Sequence, residues 1–246
     1  MVTLITLSRF LLVFPACALL LFGDSVASLV WALGLLNLME LTDLADGLIA
    51  RRDNMVSDLG KLLDPLVDSL CRTTVFVSFV AMMPSLVPLW IPLVLFYRDM
   101  MVAYMRSLAA IKNFAMGARW SGKTKAALQV IAIQVIVVLL VADALANPDV
   151  QVTAAGFFAP IAATVLAGIA FIAAFRIWDR MLWVVVAFLV FNVGLLTYFW
   201  FARPAFAWAH DAIFWIMATV ALVTALSLLD YMRVVVSLWR EESARA

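Results

Sequence analysis

The 246-residue chain is 67% hydrophobic and 13% charged, with a mean hydropathy of +1.09, which excludes a soluble globular domain and requires a polytopic membrane protein. Its net charge of +1 is spread over short polar segments rather than one basic stripe, which excludes nucleic acid as a partner. The two cysteines, Cys17 and Cys71, lie in apolar runs and read as packing residues, not as a disulfide framework or a thiolate metal site.

Eight apolar runs are long enough to cross about 30 Å of hydrocarbon: residues 4–22, 26–46, 64–83, 88–111, 125–146, 152–175, 181–201 and 207–232. Lipid offers the backbone no other hydrogen-bond partner and no barrel-like alternation is present, so the runs are predicted to be helices of an all-α bundle. The first run is interrupted by Arg9 and lacks a basic leader and a clear small-residue cleavage site, so it is expected to be retained.

Between the second and third runs lies DLADGLIARRDNMVSDLGKLLDPLVD, residues 43–68, which reads D-x2-D-G-x2-A-R-x8-G-x3-D-x3-D. If both ends are helical, Asp43 and Asp46 share one face and Asp64 and Asp68 share another, separated by about 4.5 and 6 Å of rise. Four carboxylates can then face one point. That concentration of charge requires cations, and hard oxygen ligands select magnesium, manganese or calcium over zinc. Residues 51–61 are predicted to form a polar turn, with Ser57 capping the second helix. Asp53 and Asp58 fit no ligand spacing and read as solvated charges. Gly47 and Gly60 serve either as small packing residues or as points where a nucleotide nears the backbone.

The fourth run, FYRDMMVAYMRSLAAIK, carries Arg98, Asp99 and Arg106, and ionisable groups inside a span are functional candidates. Asp99 is expected to point elsewhere on the helix, so Arg98 needs another carboxylate or a phosphate. Arg106 is near enough to the end to snorkel. Arg72, in the third run, is expected to partner an acid. The segment GARWSGKTKAALQ then supplies Arg119, Lys123 and Lys125 beside Gly122, which read either as headgroup contacts or as ligands of a phosphate-bearing acceptor. His210 stands alone and reads as a surface residue.

Basic residues fix the expected orientation. Arg51, Arg52, Lys61, Lys112, Arg119, Lys123, Lys125, Arg176, Arg180, Arg240 and Arg245 fall on one side, and the opposite loops offer only Arg203. The motif and both termini are therefore expected on the cytoplasmic face of the cell (inner) membrane.

The run at 43–68 resembles the signature of the CDP-alcohol phosphatidyltransferases, membrane enzymes that move a phosphatidyl or similar group from a CDP-linked donor to an alcohol. Within that family the likeness is to phosphatidylglycerophosphate synthases. It rests on LITLSRFLLVFP, TDLADGLIARR, LGKLLDPLVD, the YRD…R spacing, SGKTKAALQ and, faintly, ALSLLDY near the end. The resemblance implies a six-helix core enclosing a cytoplasm-facing cavity, commonly in a homodimer. It implies two divalent ions, Mg or Mn, on Asp43, Asp46, Asp64 and Asp68, with Asp68 also the base. It further implies a donor nucleotide site from Asp43, Gly47, Ala50, Arg51 and Gly60. Arg98, Arg106, Arg119, Lys123 and Lys125 would bind the acceptor's phosphate.

The expected reaction joins CDP-diacylglycerol to glycerol 3-phosphate within a membrane, giving phosphatidylglycerophosphate and CMP in phospholipid biosynthesis. Other acceptors, such as inositol phosphate or serine, are open, and a divalent-cation transporter is the alternative from another class. The chain is expected to be one integral membrane domain, 1–246, with a core at 1–146 and 206–240 and an extra helix pair at about 147–205. It departs from the family at Ser69, where a lysine is usual, and in that extra pair.

Overall fold

A computed structural model of the chain describes residues 2–52, 58–111, 120–147, 149–150, 152–175, 180–203 and 208–243. Through these residues run eight helices: α1 (Val2–Phe22), α2 (Val26–Arg52), α3 (Asp58–Met82), α4 (Trp90–Ile111), α5 (Trp120–Ala146), α6 (Ala154–Phe175), α7 (Arg180–Ala202) and α8 (Ala209–Ser243). The chain is an all-α polytopic membrane helix bundle. Among the described residues, α2, α3, α5, α6 and α8 each contain a window apolar and long enough to cross a bilayer, while α1 and α7 hold shorter apolar stretches, Ser8–Phe22 and Leu189–Ala202.

Helix ends follow local chemistry. Ser25 precedes α2 and its hydroxyl accepts from the Ser28 amide at 3.2 Å, and Thr153 does the same for Gly156 at the start of α6, 3.1 Å. Arg203 closes α7 with φ of 40°, its amide donating to the Phe199 carbonyl at 3.0 Å.

Three boundaries differ from those expected. The helices α2 and α3 continue to Arg52 and from Asp58, so the polar turn is shorter than 51–61, because Leu, Ile, Ala and Arg all favour helix once a span has nucleated it. The expected Ser57 cap lies outside the described residues. In the same way SGKTK forms the first turns of α5 rather than a loop, and α8 continues to Ser243, past the expected end of its apolar run at 232.

The core is made where α1, α2, α3 and α5 converge, around Leu33, Leu36, Phe76, Phe79 and Ile136, all essentially inaccessible. The first helix packs on α2 and α3, and α8 lies against α4 and α5. The intervening pair takes a different place, with α6 on α2 and α7 on α5. Gly34 admits α6 closely, since a Cβ there would collide with the Thr164 hydroxyl. Phe157 and Phe158 of α6 pack against Trp200 of α7, tilted and edge-on, with ring centroids 4.7 and 5.4 Å away.

Candidate active site

Two polar groups occupy the bundle end where α2, α4 and α8 finish and α1, α3 and α5 begin. The first is organised by Arg9, which is only 2% exposed. Its Nη1 donates to Asp43 Oδ1 of α2 at 2.7 Å and to Asp68 Oδ1 of α3 in a still shorter ion pair. One guanidinium thus ties three helices together, with charge-assisted bonds that are the stronger kind. Arg72 Nη2, one turn along α3, stands 3.7 Å from Asp68 Oδ2, as expected for a structural partner of an acid. Glu40 lines the same small cavity with Arg9, Asp43, Asp68, Cys71 and Arg72.

Asp43 and Asp68 bring carboxylate oxygens from opposing helices to one cation, Arg9, and oxygens of this kind are the hard donors that magnesium or manganese takes. Among the described residues no group of three or more His, Cys, Asp or Glu side chains is placed to hold a metal ion. The backbones of Asp46, Gly47, Ala50 and Arg51 lie in α2 and those of Gly60 and Asp64 in α3, while their side chains lie outside the described set. Cys17 and Cys71 are free and buried.

The second group joins α4, α5 and α8. Asp99 is buried, and both of its oxygens accept from Lys125 Nζ at 2.7 Å. Arg98 Nη1 donates to the same carboxylate at 3.0 Å, which corrects the expectation that Asp99 points away from it: the long arginine side chain curls back to its neighbour. Arg98 Nε donates to the Ser227 hydroxyl of α8 at 2.8 Å. Arg106 Nη2 donates to the Tyr231 hydroxyl at 2.6 Å, and Ser121 donates to Asp230 Oδ2 at 2.7 Å. Lys123 is exposed, 6.0 Å from the centre of the Trp120 ring, and Arg119 lies outside the described residues. Arg72 is within electrostatic range of both Asp68 and Asp99, so the two groups adjoin through α3.

Sequence reasoning gave no role to Glu40 or to Ser227, Asp230 and Tyr231 of α8, although the last three lie in the ALSLLDY stretch of the likeness. Glu40 has a signal, since it extends the D-x2-D spacing one turn back as E-x2-D-x2-D. The α8 residues follow their partners by more than a hundred positions, and no spacing rule reaches that far. His210 is exposed, as expected.

A family model described as CDP-alcohol phosphatidyltransferase matches residues 1–155 of the chain. Among individual proteins, the chain is 41% identical over 75 residues to a cardiolipin synthase (CMP-forming) of Streptomyces coelicolor, covering 30% of this chain and 34% of the relative. It is 35% identical over 92 residues to a CDP-diacylglycerol–glycerol-3-phosphate 3-phosphatidyltransferase of Bacillus subtilis, covering 37% and 47%. A probable phosphatidylglycerophosphate synthase of Mycobacterium tuberculosis is 31% identical over 140 residues, covering 56% and 65%. The chain therefore spans between about a third and two thirds of the length of these curated relatives.

Proposed function

The chain belongs to the CDP-alcohol phosphatidyltransferase family, and from that premise we propose that it transfers the phosphatidyl group of CDP-diacylglycerol to glycerol 3-phosphate. The observation that carries the acceptor is a group of three cations, Arg98 and Lys125 on the Asp99 carboxylate and Arg106 on the Tyr231 hydroxyl, beside the aspartate end of the bundle. Such an excess of positive charge suits an acceptor that brings its own phosphate.

In this reading the acceptor hydroxyl attacks the phosphorus that bears the diacylglycerol, and the bond from that phosphorus to the CMP oxygen breaks. The hydroxyl proton passes to Asp68. Arg9 holds Asp68 and Asp43 in register from α1. Asp43, Asp46, Asp64 and Asp68 would hold two divalent ions, which when bound supply neutralising charge to the donor's diphosphate and the departing CMP. Asp43, Gly47, Ala50, Arg51 and Gly60 would form the donor nucleotide surface, and Arg119 and Lys123 would join the acceptor's cations.

For the molecule as a whole we propose eight spans, a core of α1 to α5 with α8, and α6 and α7 as an appended pair. Its support is the packing of α8 directly on α4 and α5, with the pair applied to α2 and α5. The aspartate end would face the cytoplasm, and two chains would associate as a homodimer. A second acceptor is favoured by relatives named cardiolipin synthases, at 41% and 42% identity: a glycerol hydroxyl carried on a lipid. Cation transport has less support, because Asn37 and Ser78 donate to carbonyls of their own helices, Leu33 and Thr74, and offer no polar step toward the far face.

The test is CMP release from CDP-diacylglycerol by purified protein with Mg or Mn. Acceptors are glycerol 3-phosphate, phosphatidylglycerol, inositol phosphate and serine, each repeated with chelator. Fastest turnover with glycerol 3-phosphate, abolished by chelation, supports the proposal. Faster turnover with phosphatidylglycerol moves it to the lipid acceptor.

A further inference from the structure

The sequence ALSLLDY, residues 225–231 in the middle of α8, has no part in the reaction just described, yet its Tyr231 is fully buried beside the cationic group. Arg98 and Arg106 leave α4 two turns apart, about 12 Å along the axis. Both reach the Tyr231 ring: their guanidinium carbons lie 5.3 and 5.2 Å from its centre, within the range of cation–π attraction. Its hydroxyl also accepts from Arg106 Nη2 at 2.6 Å. On the α5 side, Gly122 makes room for the phenol, since a Cβ there would stand 2.8 Å from the Tyr231 hydroxyl.

Held in this way, each arginine keeps an unused donor. Arg98 Nη2 and Arg106 Nε are buried and have no hydrogen-bond partner among the described residues, a costly arrangement unless a ligand completes it. Arg98 shares the Asp99 carboxylate with Lys125, and Asp230 brings a second carboxylate, so three cations stand against two anions among the described residues of this group. Asp230 accepts from the Ser121 hydroxyl and keeps its charge.

We propose that Tyr231 is a positioning residue that sets Arg98 and Arg106 as a two-armed receptor for a phosphate group, with Gly122 as the space that permits it. This rests on the acceptor reading above, and it assigns to α8 the geometry of that subsite. The ligand chemistry is a glycerol-borne phosphate, whether free as glycerol 3-phosphate or within a lipid headgroup.

The test uses the full chain with Tyr231→Phe, Tyr231→Leu and Gly122→Ala, and Tyr198→Phe on the exposed face of α7 as control. Thermal stabilisation by glycerol 3-phosphate and by phosphatidylglycerol in mixed micelles is measured first, without donor, and steady-state constants second. The parent is expected to be stabilised by one of the two. Loss of the phenol hydroxyl should raise the apparent Kd and the acceptor KM about three- to tenfold, the range of one hydrogen bond. Tyr231→Leu should raise them further, and donor KM and kcat should stay within twofold. Gly122→Ala should follow Tyr231→Phe. If neither phosphate compound stabilises the parent, or if donor KM rises in step with acceptor KM, Tyr231 is a packing residue and the inference is overturned. If the phosphate compounds stabilise the parent and Tyr231→Phe weakens them, but no product forms with either, the receptor stands and the proposed reaction falls.

Discussion

At the scale of the residue, the aspartates of the motif differ in what they would lose. Asp64 is expected to ligate an ion and Asp53 to be a solvated charge, so Asp64→Asn should bind Mn2+ more weakly and lose nearly all CMP release. Asp53→Asn should behave like the parent in both. Mn2+ titration monitored by electron paramagnetic resonance, alongside the CMP assay, separates them. Arg9 makes a different prediction. Replacing it by Gln leaves Asp43 and Asp68 facing each other without their shared cation, and breaking a buried ion pair costs about 3–5 kcal/mol. The side chains of Asp43 and Asp68 are 36% and 26% exposed, so solvent screening reduces this to about 1–2 kcal/mol. A melting temperature lowered in chelator by a few degrees is the expected outcome; an unchanged one would mean that Arg9 carries none of the helix clamp. The carboxylate spacing was legible because helical periodicity makes it a local property. The role of Arg9 was not, because its partners stand 34 and 59 positions away and in sequence it looks like an interruption of an apolar run.

Among the elements, α4, α5 and α8 are joined by one carboxylate and the side chains around it. Removing Asp99 leaves both Arg98 and Lys125 without their buried anion, whereas removing Lys125 leaves Asp99 still paired with Arg98. Asp99→Asn should therefore destabilise more than Lys125→Met, by about 3–5 kcal/mol against 1–3. Denaturation of the purified protein in graded detergent mixtures measures the order. The reverse order would show that the pairing is weaker than its geometry suggests. The existence of the helices was readable from their apolar runs. Their ends were less so, since polar residues such as those of SGKTK continue a helix when, as here, Ser121 and Lys125 find partners on α8 and α4. The α8 contribution depends on contacts made across the whole chain, which leave no periodic trace.

For the whole molecule, the helix order brings every ionisable group of the two clusters to one end of the bundle, and the surplus of Lys and Arg in the loops predicts that this end is cytoplasmic. Cysteine labelling tests it. In cells, Asp24→Cys, in the exposed turn between α1 and α2, should react with a membrane-impermeant maleimide without lysis. Ser107→Cys, exposed near the end of α4, should react only after permeabilisation, with the buried Cys17 and Cys71 silent in both. The opposite pattern would invert the topology and leave the donor lipid on the wrong side.

The Arg9 clamp also imposes an order in time. Arg9 is made before either of its carboxylates, and at about 5–20 residues per second Asp68 follows it by roughly 3–12 s. During that interval a charged side chain sits eight residues into a helix that has already met the bilayer, where it must reach for the headgroups. The helix that carries Arg9 is thus synthesised ahead of α2 and α3, yet its final depth waits on the arrival of α3.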